Sequence, residues 1–170
     1  MVRKPLIVIA PKSGLRARQT RSNVTELVHG HFREVFDDVT ITDPLAVKRI
    51  VFCSGKVAWD ALAARDAAGF AAQIAVVRLE QLYPWPGAQI RDLIDRYPNT
   101  TQMTWLQEEP ENQGAWFFVQ RPLWELWQST GRTLAVIARP PSGSPATGSH
   151  HQHDVELDVL KAAVVAGLSV

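Results

Sequence analysis

From residue 48 onward, short runs of β-formers alternate with helix-length segments at separations that need crossover connections. This alternation restricts the chain to a mainly parallel sheet with helices on both faces, an α/β fold. Arg49 to Cys53 reads as a strand, Lys56 to Ala68 as a helix closed by Gly69, and Ala75 to Leu79 as a second strand. Pro86 to Tyr97 reads as a helix with proline at its favoured first position. There follow a strand over Gln102 to Leu106, an aromatic-rich helix from Gly114, a strand over Thr133 to Ala138 and a last helix from about His150 to Gly167. Pro122 predicts a kink or a fresh start in the aromatic helix, with Trp116, Val119, Leu123 and Trp127 still on one face. In the last helix, Ser149 and Gln152 form a capping box, and Val155, Val159, Ala162 and Ala166 are expected inward.

The N-terminal part is less regular. Leu6 to Ala10 is apolar throughout and predicts a short buried strand that Pro11 ends. Lys12 to Arg21 is a basic, turn-rich loop carrying Lys12, Arg16, Arg18 and Arg21, and it suits either a solvated connector or an anion site. A short helix over Val24 to Phe32 and an irregular piece through Pro44 complete it. With 170 residues the chain reads as one domain, enough to bury about 70% of the surface its unfolded form exposes. Cys53 is the single cysteine, so an internal disulfide is excluded and a reducing, cytoplasmic setting is expected. A formal charge of +1 with interspersed signs gives no basic field for nucleic acid. No span of about 20 apolar residues exists, so no membrane partner is expected.

Thr104 to Phe118 is the stretch richest in information. A strand enters through Thr104, Trp105 and Leu106 and is stopped by Pro110, which lacks the ladder N–H. Glu108, Glu109 and Glu111 flank the stop, Asn112 and Gln113 are placed to cap the following helix, and Gly114 allows a tight approach. Trp116, Phe117 and Phe118 then appear in a row. Aromatics can fill a core, and carboxylates favour a helix N-terminus. Their density around a charged loop at a strand end, where open α/β sheets bind things, points instead to a surface that meets another protein. Arg78, Glu80 and Gln81, followed by Tyr83, place a second polar and aromatic group at the same sheet edge.

Catalytic motifs are absent. Cys53-Ser54-Gly55-Lys56 leaves a strand and opens a helix, which suits an anion, but Ile50 and Val57 stand where a Walker loop needs Gly and Ser or Thr. The pairs among His29, His31, His150, His151 and His153 lack the partners of a metal motif, so no metal site is expected. No G-x-S-x-G elbow occurs, and Glu108 and Glu109 point to opposite faces of a continuing strand.

Five motifs occur in order: Pro11-Lys12-Ser13-x-Leu15-Arg16, Ser54-Gly55-Lys56, Val77 to Pro84, Gln107-Glu108-Glu109-Pro110-x-Asn112-Gln113-Gly114-Ala115-Trp116 and Arg139-Pro140-x-Ser142-x-Ser144-Pro145-Ala146-Thr147-Gly148. The series resembles the C-terminal region of the thiamine-dependent, decarboxylating component of the 2-oxoglutarate dehydrogenase complex. The resemblance implies a three-layer α/β/α transketolase C-terminal domain over residues 46–170, with residues 1–45 as the tail of a pyrimidine-binding domain or a linker. It implies packing against the cofactor-binding domains through Arg78, Gln81, Glu108, Glu109, Asn112, Gln113, Gly114 and Trp116, and a homo-oligomer. Members of that family bind acetyl-CoA or AMP as allosteric effectors, and Arg33, Lys56, Arg16 and Lys12 are the positions carried over. His29 stands where an acidic residue is expected, and Gly14, Pro141 and Gly143 also depart from the pattern. The family's thiamine diphosphate and Mg²⁺ are held by a run beginning G-D-G and ending in Asn, which this sequence lacks. The implied role is therefore non-catalytic: dimer assembly and support of the active site for oxidative decarboxylation in the tricarboxylic acid cycle. A free-standing acetyl-CoA or AMP sensor and a non-functional fragment are the alternatives.

Overall fold

A computed structural model describes residues 4–5, 7–128 and 131–168. The chain divides into two compact units, Met1–Phe32 and Arg33–Val170. The first contains two 3-10 turns, Lys12–Leu15 and Arg18–Thr20, and one short helix, α1 (Val24–His29). Asn23 starts α1 with a reciprocal capping box: its side chain accepts the Thr25 N–H at 3.0 Å, and Glu26 accepts the Asn23 N–H at 3.2 Å. Glycine at position 30 ends the helix before the expected Phe32. The predicted strand near the N-terminus does not form: residues 7–10 belong to no strand, and Ile7, Val8 and Ile9 are 75–96% exposed. Leu6 lies outside the described residues. An apolar run forms a buried strand only beside partner strands, and in the described residues it has none.

The second unit is a five-stranded sheet in the order β1-β3-β2-β4-β5. Its strands are β1 (Val35–Phe36), β2 (Arg49–Cys53), β3 (Ile74–Leu79), β4 (Gln102–Pro110) and β5 (Thr133–Arg139). All neighbours are parallel except the short β1, which runs antiparallel to β3 and which sequence reasoning missed. The helices are α2 (Val57–Ala67), α3 (Gly87–Arg96), α4 (Trp116–Trp127) and α5 (His150–Val165).

Strand alternation distributes the core to two faces. Ile50, Phe52, Val77, Met103 and Trp105 pack with Ile90 and Ile94 of α3 and Val119, Leu123 and Trp127 of α4. Val51, Cys53, Val76 and Leu106 pack with Val57, Ala58 and Ala61 of α2 and Leu160 and Val164 of α5. The fold is thus three layers, α/β/α, as the sequence pattern and the resemblance require. The predicted face of α4 holds across Pro122, with Val119, Leu123 and Trp127 buried and Trp116 packed against them. In α5 the expected face is corrected: Val155 and Val159 are 46% and 65% exposed, and Leu160 and Val164 turn inward. Burying the larger Leu160 and Val164, with Leu157 half-buried, removes more apolar area from water than burying a stripe half made of alanine. The α5 cap is half as expected, since the Ser149 side chain accepts the Gln152 N–H while Gln152 turns to Glu156 at 2.9 Å.

Two buried groups on this scaffold set an alkaline limit. Burial pushes the Cys53 thiol up to about 12 from 9.0, against the Arg78 charge. Burial also raises Tyr97, as does its hydrogen bond to Asp37, whose Oδ1 accepts the phenolic proton at 2.6 Å. Both folded values lie above the unfolded ones, so the stabilisation is complete below the ordinary thiol value and is lost as pH rises toward about 12. Thermal melts across that range should show a falling transition temperature. Iodoacetamide at neutral pH should alkylate Cys53 only as fast as the chain opens.

Candidate docking site at the carboxyl ends of the strands

β2 hands the chain to α2 on one face of the sheet, and β4 hands it to α4 on the other. The carboxyl ends of these adjacent strands therefore diverge, leaving the crevice at which open α/β sheets place their binding sites. Here it is a cleft of about 580 Å³ walled by Ser54 and Gly55 after β2, Tyr83 after β3, Glu109 of β4, and Gly114 and Phe118 at the start of α4.

Gln107 holds this corner in shape. Trp105 is buried, so its indole N–H must find an acceptor. Gln107 Oε1 accepts it at 2.9 Å and also accepts the Trp116 backbone N–H at 3.0 Å, satisfying one orphan donor of α4. The Gln107 amide donates to the carbonyls of Pro110 (2.9 Å) and Gln113 (2.8 Å). Only this orientation of the amide serves all four partners. Gly114 closes the turn with φ +65°, and a Cβ there would lie 3.0 Å from Glu109 Cβ and 3.1 Å from the Gln107 side chain. Glycine is required on both counts.

Asn112 and Gln113, expected to cap α4, do something else. Their side-chain amides donate to the Ser142 carbonyl at 3.0 and 2.8 Å, and Asn112 Oδ1 accepts the Ser142 N–H at 2.9 Å. They fasten the loop after β5 to the acidic loop, while the helix cap residue is Ala115, which has no side-chain bond to give. Arg139 reinforces the junction by donating to the carbonyls of Glu108 and Pro145 and pairing with Glu156 at 3.0 Å. Gln107 was missed as the organiser because a glutamine inside a strand has no sequence signature.

The cations near the corner are largely occupied. Lys56 pairs with Glu108 and lies 3.8 Å from Asp60. Arg78 stacks on the rings of Phe36 (4.6 Å) and Trp59 (5.0 Å), with Nε 2.6 Å from Glu80 Oε1 though out of line for a hydrogen bond. Arg33 also lies over the Phe36 ring, at 4.1 Å. Gln81 donates to the Pro84 carbonyl at 2.9 Å. Lys12 and Arg16 belong to the first unit, at its first 3-10 turn. Glu109 differs from Glu108: among the described residues its carboxylate takes neither a hydrogen bond nor an ion pair.

The tryptophans divide between core and surface. Trp105 and Trp127 are core residues because their positions in β4 and α4 face the sheet interior. The exposed aromatics are Tyr83 (82%) and Phe118 (47%), which line the cleft, and Phe117 (61%) and Trp124 (52%), which do not. Trp116 lies half-buried between the two groups.

A family described as 2-oxoglutarate dehydrogenase C-terminal matches residues 21–165. The 2-oxoglutarate dehydrogenase E1 component of Cupriavidus necator is 41% identical over 168 residues, covering 99% of this chain and 18% of that protein. The E1 component of Coxiella burnetii is 39% identical over 147 residues, 86% of this chain and 16% of the relative. A probable 2-oxoadipate dehydrogenase complex component E1 homolog of Dictyostelium discoideum is 39% identical over 160 residues, 93% of this chain and 18% of the relative. The chain thus spans less than a fifth of the length of these curated relatives. With the layered sheet and the Gln107-to-Trp116 corner in place, this near-complete match shows that the chain belongs to the 2-oxoglutarate dehydrogenase C-terminal family.

Proposed function

We propose that this chain acts as the non-catalytic C-terminal region of a 2-oxoglutarate dehydrogenase first component, completing its dimer and buttressing an active site carried by the other domains. On this reading residues 1–45 are the tail of the adjoining domain, and residues 35–36 of that tail add an antiparallel strand to the sheet. The observation that carries the proposal is the corner itself: the exposed Tyr83 and Phe118 line a cleft at the strand ends, beside an acidic loop tied down by Gln107. An apolar, concave surface of this kind suits a protein partner.

Thiamine diphosphate would supply the carbanion chemistry in the complete enzyme, but the residues here do not fit it. Among the described residues no three His, Cys, Asp or Glu side chains converge in a way that could hold a metal for the diphosphate. No helix among them is long and apolar enough to cross a membrane. That a probable 2-oxoadipate homolog and a 2-oxoglutarate enzyme are each 39% identical to this chain supports a reading in which substrate choice lies with the other domains.

The test is complementation. The Cupriavidus necator relative, shortened by the region this chain matches, is mixed with the chain, thiamine diphosphate and Mg²⁺, and 2-oxoglutarate-dependent ferricyanide reduction is followed. Turnover should require both polypeptides. If the two neither associate nor restore turnover, the proposal is wrong.

A further inference from the structure

The cleft at the switch point has a chemical character that goes beyond a generic docking face. Among the residues that line it, Glu109 alone is charged. The cations nearby cannot neutralise it, since Lys56 pairs with Glu108, Arg78 with Glu80 and Arg139 with Glu156. An anionic ligand is therefore disfavoured, and a positive group would sit between a free carboxylate and the faces of Tyr83 and Phe118. Both aromatics are exposed, at 82% and 47%, so their faces are available. Gly55 lines the cleft without a side chain, and a Cβ built on it would meet nothing within 4 Å, which leaves room for close approach there.

We infer that the cleft receives a lysine or arginine side chain, flanked by an apolar residue, from the remaining domains of the component. Charge and ring together recognise such a segment, whereas an acidic or purely apolar one leaves Glu109 buried without a partner on docking. The inference rests on the proposed function, and it names the contact by which the two bodies recognise each other.

Association of the chain with the shortened Cupriavidus necator relative is measured by analytical ultracentrifugation and calorimetry. Variants are Glu109→Gln, Glu109→Lys, Phe118→Ala and, as a control for net charge, Asp158→Lys on α5, where the aspartate side chain is 76% exposed. Glu109→Gln should weaken association about tenfold and Glu109→Lys about 100-fold, with Phe118→Ala also weaker and Asp158→Lys unchanged. If the wild type binds and Glu109→Lys binds as tightly, the cleft is not the contact, while the docking reading survives. If Asp158→Lys weakens binding as much as Glu109→Lys, long-range charge and not a seated side chain is responsible, and the inference fails. Self-association of the chain alone that Glu109→Lys abolishes would make the occupant a second copy and overturn it. If the wild type does not bind the relative at all, both readings fall.

Discussion

Replacing Asp38 with alanine lowers the stability of the chain by about 3–5 kcal/mol, the loss expected when one partner of a buried ion pair is removed. Asp38 and Arg65 are 2% and 1% exposed, and their side chains meet beneath the sheet edge. β1 pairs with β3 only through Val35 with Leu79 and Phe36 with Arg78. Beyond that point the Asp38 carboxylate takes over the ladder: Oδ2 accepts the Val76 N–H at 2.9 Å, and Oδ1 accepts the Thr40 N–H at 3.0 Å. Arg65 donates in turn to the Ile74 carbonyl at 3.1 Å and to Thr40 Oγ1 at 3.0 Å. Alanine at 38 leaves the Val76 N–H without its acceptor and takes from the guanidinium its only buried carboxylate, so that the one ion pair left to it is with the exposed Asp66 at 2.8 Å. Asn at 38 keeps an acceptor and should lose less. The double change Asp38→Ala with Arg65→Leu also removes the buried guanidinium and should recover part of the loss, a coupling that a double-mutant cycle measures. Urea unfolding is the readout, with a lower midpoint at unchanged slope. A single-variant loss under about 1 kcal/mol would mean the pair does not hold the segment after β1 to the sheet.

That pair also shows where reading the sequence runs out. β2 and β3 were legible because strands covered on both faces are apolar almost throughout, and α2 because Gly69 takes φ +80° just past its end. β1 was not: two residues carry no period, and their pairing is set by β3, more than forty positions away. Arg65 sits in an alanine-rich helix where a surface position would look the same, and only its partner 27 residues upstream makes it a core residue. In α5 two apolar stripes overlap, and packing chose the one with more volume. The candidate site divides in the same way. The residue types from Thr104 to Phe118 announced a strand end, a turn and an aromatic helix, and all three are found. Their roles depended on contacts across the chain, such as Lys56 with Glu108 at a separation of 52 residues and Asn112 with Ser142 at 30. Those contacts place the Lys56 ammonium against the acidic strand end, through Glu108.

Gln107→Leu should cost about 2–4 kcal/mol and, unlike the ion-pair variants, should also abolish docking. Leucine fills similar space, so the effect isolates the hydrogen bonds. It orphans the Trp105 indole N–H and the carbonyls of Pro110 and Gln113, and it removes the acceptor for the first N–H of α4. Each buried unpaired group costs about 1–3 kcal/mol, less where water reaches the relaxed loop. Gln107→Glu separates donation from acceptance. The glutamate keeps an acceptor for Trp105 and Trp116, but its second oxygen meets two carbonyl oxygens. That repulsion and burial raise the folded-state pKa of the new carboxyl above the unfolded value of about 4.3. With the folded value raised, the folded chain binds the proton more tightly, so the penalty is absent below about pH 4.3 and grows as pH rises through the folded pKa. The stability gap between wild type and Gln107→Glu should therefore widen from acid to neutral pH, whereas the gap for Gln107→Leu should stay flat. Parallel urea titrations of the three proteins across that range decide the matter. A flat gap for the glutamate variant would show that the amide does not donate to the Pro110 and Gln113 carbonyls, and the corner would then need another source of rigidity.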